Sequence, residues 1–107
     1  MGNGLGRLEL VVLTAVARLD EDAYGLSVRR EVERLSGRDY SVGAVYTTLS
    51  RLEGKGLVDT WTTEPLPTRG GRSRRMYRIN TAGRQAVRDA RTLAARLWRP
   101  EPGGSFA

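Results

Sequence analysis

The sequence SVGAVYTTLSRLEGK at residues 41–55 holds the pattern on which the interpretation of the whole chain depends. Ser41 is a typical N-cap, because its hydroxyl can accept a hydrogen bond from a free amide in the first turn of a helix. Apolar residues follow at helical spacing and form one stripe: Val42, Val45, Leu49 and Leu52. We therefore predict a helix that runs from Ser41 to about Lys55 and turns this stripe toward a core.

The remaining faces of this helix carry small or hydrogen-bonding residues: Gly43, Ala44, Thr47, Thr48 and Arg51. Small side chains let a helix backbone approach the floor of a DNA groove, a threonine can contact a base edge, and an arginine can bond guanine or phosphate. An ordinary solvated helix carries charged residues at such positions more often than glycine and alanine. The pattern therefore favours a helix that reads DNA.

Helical periodicity predicts three more helices, over residues 5–19, 23–35 and 80–98. The acidic run at residues 20–22 is expected to end the first helix and to supply acceptors for the start of the second helix. Gly37 is expected to end the second helix. Asn80 or Thr81 is expected to cap the last helix. Each of these helices therefore has a local signal for at least one of its ends.

Two strands complete the pattern. Residues 57–64 are rich in Val, Thr and Trp, and residues 76–79 provide an antiparallel partner. The order helix, helix, helix, hairpin, helix is typical of a winged helix-turn-helix. The predicted fold is mainly α with a small β-hairpin, organised as a winged helix-turn-helix DNA-binding domain over residues 1–79, a C-terminal dimerisation helix over residues 80–98 and a flexible tail over residues 99–107.

The positive charge is concentrated in the second half of the chain. The 107 residues include 18 Lys and Arg against 12 Asp and Glu, for a formal net charge of +6. Residues 65–99 contain ten arginines and one acidic residue, whereas residues 1–64 contain eight basic and ten acidic residues. Four arginines lie at or beside the hairpin tip: Arg69, Arg72, Arg74 and Arg75. Such a tip can contact DNA phosphates or enter a minor groove. The alternative interpretation is that the arginines only keep the exposed edge of the hairpin from pairing with other strands.

Cysteine and histidine are absent from the chain. Their absence excludes thiol nucleophiles, disulfides, zinc fingers and histidine-based catalysis. An enzyme is further disfavoured because Gly54-Lys55-Gly56 lacks the spacing of a phosphate-binding loop. We expect no cofactor and no metal. The apolar run at residues 8–19 is too short to span a membrane and no export signal follows, so we expect a cytoplasmic protein that does not contact membranes.

The first predicted helix is apolar on two faces, so it needs a cover on two sides. One cover is its own core, and a second copy of the chain is a candidate for the other, since a chain of this size gains stability by burying surface in a dimer. The residues expected at the dimer interface or an effector site are Leu10, Leu13, Leu93, Leu97 and Trp98. Trp98 could stack a flat ligand in an apolar pocket, and simple packing or a surface position explains it equally well.

Several segments together resemble the PadR family of winged-helix transcriptional regulators, in particular its short members with a single C-terminal helix. They are Ala23-Tyr24-Gly25, SVGAVYTTL at 41–49 with RLEGKGLV at 51–58, RMYRI at 75–79 and Thr81-Ala82-Gly83, and the likeness extends from about Leu8 to Trp98. One departure is Thr47, where the family often has proline, and another is Pro65-Leu66-Pro67 near the wing.

The resemblance implies a role for several residues. It places Ser41, Gly43, Tyr46 and Thr47 at the DNA, and it makes the basic hairpin a wing that follows the backbone or the minor groove. It further implies a homodimer built by the first and last helices, with a small hydrophobic or aromatic effector as in some relatives. The predicted function is therefore that of a dimeric repressor that binds an inverted-repeat operator in double-stranded DNA.

One alternative comes from a different functional class. A winged helix can also serve as a protein-interaction module, and here the basic wing would dock an acidic partner. Such a module has no need for a small-residue face on its third helix, and any binding to DNA would show no sequence preference. The ratio of specific to non-specific DNA affinity separates the two hypotheses.

Overall fold

The computed structural model describes residues 4–64 and 73–98. Within these residues the elements follow the predicted order: α1 (Arg7–Leu19), α2 (Gly25–Ser36), α3 (Val42–Gly54), β1 (Val58–Thr62), β2 (Arg75–Ile79) and α4 (Thr81–Trp98). A short 3-10 turn at Asp20–Asp22 joins α1 to α2. The prediction of a mainly α fold with a small β-hairpin is confirmed.

The core lies where α1 packs against α2 and α3, and the base of the hairpin closes one side of it. Its largest fully buried side chains are Val12, Leu13, Val16, Val28, Val32, Val45, Leu49 and Leu52. Burying an aliphatic side chain of this size stabilises the folded state by about 1.5–3 kcal/mol. This shared core holds α3 in one orientation and leaves its opposite face uncovered.

Local signals account for the ends of α2 and α3. The Ser41 hydroxyl accepts a hydrogen bond from the Ala44 amide at 3.1 Å, which confirms the predicted cap of α3. Gly37 ends α2 with a left-handed φ of 72°, and its amide donates to the Glu33 carbonyl at 2.8 Å. Serine supplies the acceptor at the first position, and glycine tolerates the positive φ at the second.

The acidic run supplies an acceptor for the start of α2, but from its backbone: the Asp22 carbonyl accepts a hydrogen bond from the Ser27 hydroxyl. The predicted role for its carboxylates is wrong, because within the described residues no carboxylate of Asp20–Asp22 bonds the first turn of α2, and the Tyr24 amide donates to the Ser27 hydroxyl at 2.9 Å. The reason is that the chain is extended between the acidic turn and α2, where the Ala23 carbonyl accepts a hydrogen bond from the Tyr77 amide at 2.9 Å.

The hairpin is therefore attached to the start of α2. β1 and β2 pair antiparallel from Val58 opposite Ile79 to Thr62 opposite Arg75. On the other edge of β2, Met76 forms a bridge with Tyr24. This bridge joins the hairpin to the helical core along an edge that would otherwise carry unpaired backbone groups.

Three side chains deviate from the helical periodicity of the sequence, which predicts Val42 and Leu35 on the apolar sides of their helices and Thr48 on another face of α3. Val42 is 48% exposed and Leu35 is 37% exposed, because each lies at a helix end beyond the contact with neighbouring helices. Thr48 was expected on the outer face of α3 and is instead buried. Its hydroxyl donates to the Ala44 carbonyl at 2.7 Å, so its polar group is satisfied inside the core.

The last helix packs on the body only through its first half. Asn80 caps it as predicted, since its side-chain oxygen accepts from the Gly83 amide at 2.9 Å. Gly83 is buried, and Ala86 and Val87 pack against the core. From Arg91 to Trp98 every residue is exposed. In the part of the chain that the structure describes, no helix is long and apolar enough to cross a membrane.

Candidate nucleic-acid interface

One side of α3 forms an exposed strip. The predicted DNA-binding residues Ser41, Gly43, Tyr46, Thr47 and Arg51 are all exposed, and Ala44 is half-buried. The space around Gly43 is open, because a Cβ built there would have no neighbouring atom within 4 Å. A helix with this surface can bring its backbone close to a flat or grooved partner.

Ser50 belongs to the same strip and was missed by the sequence-based prediction. It is exposed and lies three residues after Thr47, on the same side of the helix. The sequence contained a signal for Ser50, because positions 43, 47 and 50 lie on one face of a helix with 3.6 residues per turn. Its hydroxyl adds a hydrogen-bonding group beside Thr47.

Tyr46 is held against α2. The ring tip lies on Gly25, the buried first residue of α2, and a Cβ on Gly25 would come within 2.0 Å of the Tyr46 hydroxyl oxygen. The side chain is 44% exposed, so roughly half of the tyrosine remains available at the surface. The structure thus gives Tyr46 a defined direction, which no local pattern in the sequence predicts.

Arg51 lies on the side of α3 that is nearer to the start of α1. There the pKa of Glu9 is lowered, first by the hydrogen bond from the Lys55 ammonium at 2.9 Å, then by the Gly6 amide, and to a smaller extent by the charge of Arg51. The Arg51 side chain itself is exposed. Arg51 can therefore contribute positive charge along this edge of the strip.

Arg75 is tied to α3. Its Nη2 donates to both carboxylate oxygens of Glu53 at 3.0 Å and to the Thr60 hydroxyl at 3.2 Å. The ion pair is exposed, so its contribution to stability is small, but it connects the hairpin directly to the exposed side of α3. The charge of Arg75 is consequently compensated by Glu53 in the isolated chain.

Arg74 is arranged differently. Its guanidinium lies 4.3 Å from the centroid of the Tyr24 ring, and its backbone amide donates to the Thr63 hydroxyl at 2.8 Å. Among the described residues, no carboxylate lies within ion-pairing distance of Arg74. A stacked guanidinium keeps its in-plane N–H groups free for an anion. The predicted DNA-binding residues Arg69 and Arg72 lie outside the described residues.

A second surface lies between α1 and α4. An apolar groove of about 820 Å³ is lined by residues that include Leu10, Leu93, Leu97 and Trp98. Leu93 is 57%, Leu97 64% and Trp98 83% exposed. Leu13 was expected on this surface, and that expectation is wrong, because the core that α1 forms with α2 and α3 covers the side carrying Leu13.

Comparisons with known proteins agree with this architecture. Residues 12–89 match the family described as transcriptional regulator PadR-like. The transcriptional regulator Rv3488 of Mycobacterium tuberculosis is 35% identical over 85 residues, which cover 79% of this chain and 75% of that protein.

Solved structures are similar in fold. A PadR family transcription regulator from Clostridium difficile has a TM-score of 0.68 at 20% identity, covering 86% of this chain and 90% of that chain. PadR from Bacillus subtilis, solved in complex with operator DNA, has a TM-score of 0.64 at 20% identity, covering 94% of this chain and 52% of that chain. These likenesses support the winged-helix arrangement of the four helices and the hairpin.

Proposed function

The chain belongs to the PadR-like family of transcriptional regulators, and from this premise we propose that it is a homodimeric repressor that binds an inverted-repeat operator in double-stranded DNA. In this proposal α3 enters the major groove and the hairpin contacts the backbone or the minor groove. The dimer bound to the operator then excludes RNA polymerase from the promoter. The observation that carries the proposal is the uncovered strip of α3, together with Arg74 of the hairpin, which stacks on Tyr24 and has no acidic partner among the described residues.

Base reading is assigned to the strip of small and hydroxyl-bearing residues. Gly43 lets the helix approach closely, Thr47 and Tyr46 offer hydroxyl groups, and Arg51 offers a cation at the edge. Ser41 retains a donor proton while its oxygen caps the helix. The arginines Arg69, Arg72, Arg74 and Arg75 are assigned to phosphate contacts, which supply affinity without sequence preference.

The dimer is proposed because the second half of α4 is exposed. A half-helix that is exposed on all sides is poorly stabilised alone, and this one exposes Leu93, Leu97 and Trp98 next to an apolar groove. Burying these side chains against a second copy favours association by about 1.5–3 kcal/mol for each large apolar side chain that becomes fully buried. Residues 80–98 accordingly form a dimerisation helix, and residues 1–79 form the DNA-binding domain.

A small hydrophobic or aromatic effector is proposed for the same surface. The groove between α1 and α4 has the volume of a small-molecule site, and the Trp98 indole offers a stacking face. An effector that changes how the two α4 helices meet changes the separation of the two α3 helices, which must be about 34–36 Å to reach successive major grooves. Effector and operator affinities are then coupled reciprocally.

The test is selection of bound duplexes from a random DNA pool at near-physiological salt. The winning sequence is then titrated against a scrambled duplex of the same length. We expect an inverted repeat with half-sites about 10–10.5 base pairs apart and a large ratio of specific to non-specific affinity. Equal affinity for both duplexes would reject the proposal and favour an acidic protein partner for the wing.

A further inference from the structure

Gly25 and Tyr46 form a contact that leaves no room for any side chain at position 25. A Cβ on Gly25 would lie 2.0 Å from Tyr46 Oη, 2.3 Å from Cζ and 2.7 Å from Cε1. All three atoms belong to the distal end of the ring. Tyr46 therefore extends from α3 across to the first turn of α2, and its hydroxyl rests directly over the α2 backbone.

Glycine is needed at position 25 for space and not for backbone conformation. Within the described residues, the glycines with positive φ are Gly37 and Gly56, and Gly25 is not among them. Gly25 is instead the first residue of a regular helix, where alanine is the better helix former. The backbone thus accepts alanine at this position, whereas the Tyr46 ring does not.

The contact selects one orientation of Tyr46. A ring that is excluded from the space above Gly25 must turn away about its side-chain torsions, and each such turn departs from the rotamer seen in the structure. Its hydroxyl then leaves its place over the α2 backbone at Gly25. The remaining fold has no reason to change, because the displaced atoms are the mobile end of a side chain that is already 44% exposed.

We propose that Gly25 is a positioning residue for DNA recognition, because the free space above its Cα holds the Tyr46 hydroxyl in the orientation in which it contacts the operator. This inference rests on the proposed function. A side chain that is already held in its bound rotamer does not lose rotational freedom on binding, an advantage of about threefold to tenfold in affinity. Gly25 contributes this advantage without touching DNA itself.

The experiment is a double-mutant cycle with Gly25→Ala, Tyr46→Ala and the double variant. Each protein is titrated with the selected operator and with its scrambled duplex. Gly25→Ala is expected to bind the operator about threefold to tenfold more weakly than wild type. Its affinity for the scrambled duplex is expected to stay unchanged. The double variant is expected to bind like Tyr46→Ala alone, because no ring remains to be displaced. Additive losses would overturn the proposal, since Gly25 would then act independently of Tyr46.

A direct structural readout accompanies the titrations. Nuclear Overhauser cross-peaks between the Gly25 Hα protons and the Tyr46 ring protons are expected in the free wild-type protein. Their absence would overturn the inference whatever the binding data show. If Gly25→Ala does not fold, the double variant must recover the urea midpoint of Tyr46→Ala, because the clash is then gone. Failure to recover would make Gly25 a purely structural residue.

The outcomes separate this inference from the proposed function. A wild-type protein without preference for any operator rejects both. A wild-type protein that discriminates strongly, with a Gly25→Ala variant that discriminates equally well, rejects only the positioning role of Gly25.

Discussion

Gly83 of α4 lies directly against the backbone carbonyl of Leu57, and a Cβ on Gly83 would come within 2.2 Å of that oxygen and 2.7 Å of Cγ1 of Ile79. A backbone carbonyl cannot turn aside as a flexible side chain can. The neighbouring Asn80 amide group also donates to the Gly56 carbonyl at 3.0 Å. Together these contacts set the angle at which α4 leaves the base of the hairpin.

Replacing Gly83 with alanine should therefore destabilise the fold. We expect a loss of about 1–3 kcal/mol in the free energy of unfolding, the usual cost of inserting a methyl group where none has space. Urea titration followed by circular dichroism measures it. Gly54→Ala is the matched control, because a Cβ there meets no atom within 4 Å, and it should be at least as stable as wild type. Equal stability of the two variants would contradict the tight contact at Gly83.

Two substitutions at Ser41 separate its helix cap from its proposed place at the DNA. Ser41→Ala removes the acceptor of the 3.1 Å bond and should cost about 1 kcal/mol of stability. Ser41→Asp keeps an acceptor and should retain wild-type stability, yet its carboxylate should repel phosphates and lower DNA affinity. Operator titrations and urea unfolding of both variants provide the comparison. Unchanged operator affinity in Ser41→Asp would remove Ser41 from the interface.

Arg74→Ala should change the salt dependence of DNA binding. If the stacked Arg74 contacts one phosphate, the slope of log affinity against log salt should become shallower by about 0.9. The loss should be similar for operator and scramble, since phosphates carry no sequence information. Arg91→Ala is the control, because Arg91 is an exposed arginine on α4. Identical slopes for the two variants would mean that Arg74 makes no phosphate contact.

A charge on the apolar side of α4 should separate the proposed dimer. Leu97 lines the groove, whereas Ala95 is exposed and is not among the groove residues. Leu97→Glu should yield a monomer in sedimentation velocity, because a carboxylate buried without a partner is strongly unfavourable. Ala95→Glu should keep the wild-type sedimentation coefficient. A dimer that survives Leu97→Glu would assign dimerisation to another surface.

Glu9 should make stability depend on pH in the acid range. The hydrogen bond from Lys55, followed by that from the Gly6 amide, lowers the pKa of Glu9 below its ordinary value of 4.5 in the folded protein. A lowered folded-state pKa stabilises the fold above pH 4.5, and this contribution disappears as the pH falls through the lowered value. Wild type should therefore exceed Glu9→Gln in urea midpoint at pH 7, and the difference should shrink below pH 4.5.

Glu33→Gln serves as the control for this titration. Glu33 is exposed on α2, and its carboxylate has no ion-pair partner among the described residues. Its substitution should leave the midpoint nearly unchanged at both pH values. A constant gap between wild type and Glu9→Gln from pH 7 to pH 3 would contradict the role of the Lys55 contact.

Much of this architecture was predictable because its signals are local. The cap at Ser41, the end of α2 at Gly37 and the cap at Asn80 each depend on residues within four positions of one another. The hairpin strands were found from composition, with ends that differ by a residue or two. Local periodicity failed at helix ends, as with Val42, where exposure depends on how far a neighbouring helix extends.

The amino-acid order alone established the succession of helices and hairpin, the small-residue composition of the α3 strip and the basic character of the wing, since these follow from spacing and residue type. Tertiary packing decided which residues face which neighbours. It buried Leu13, paired Arg75 with Glu53 and laid Tyr46 on Gly25. Such contacts join residues about 20 positions apart on separate elements, and their geometry depends on the distance and angle between packed helices, which no local pattern encodes.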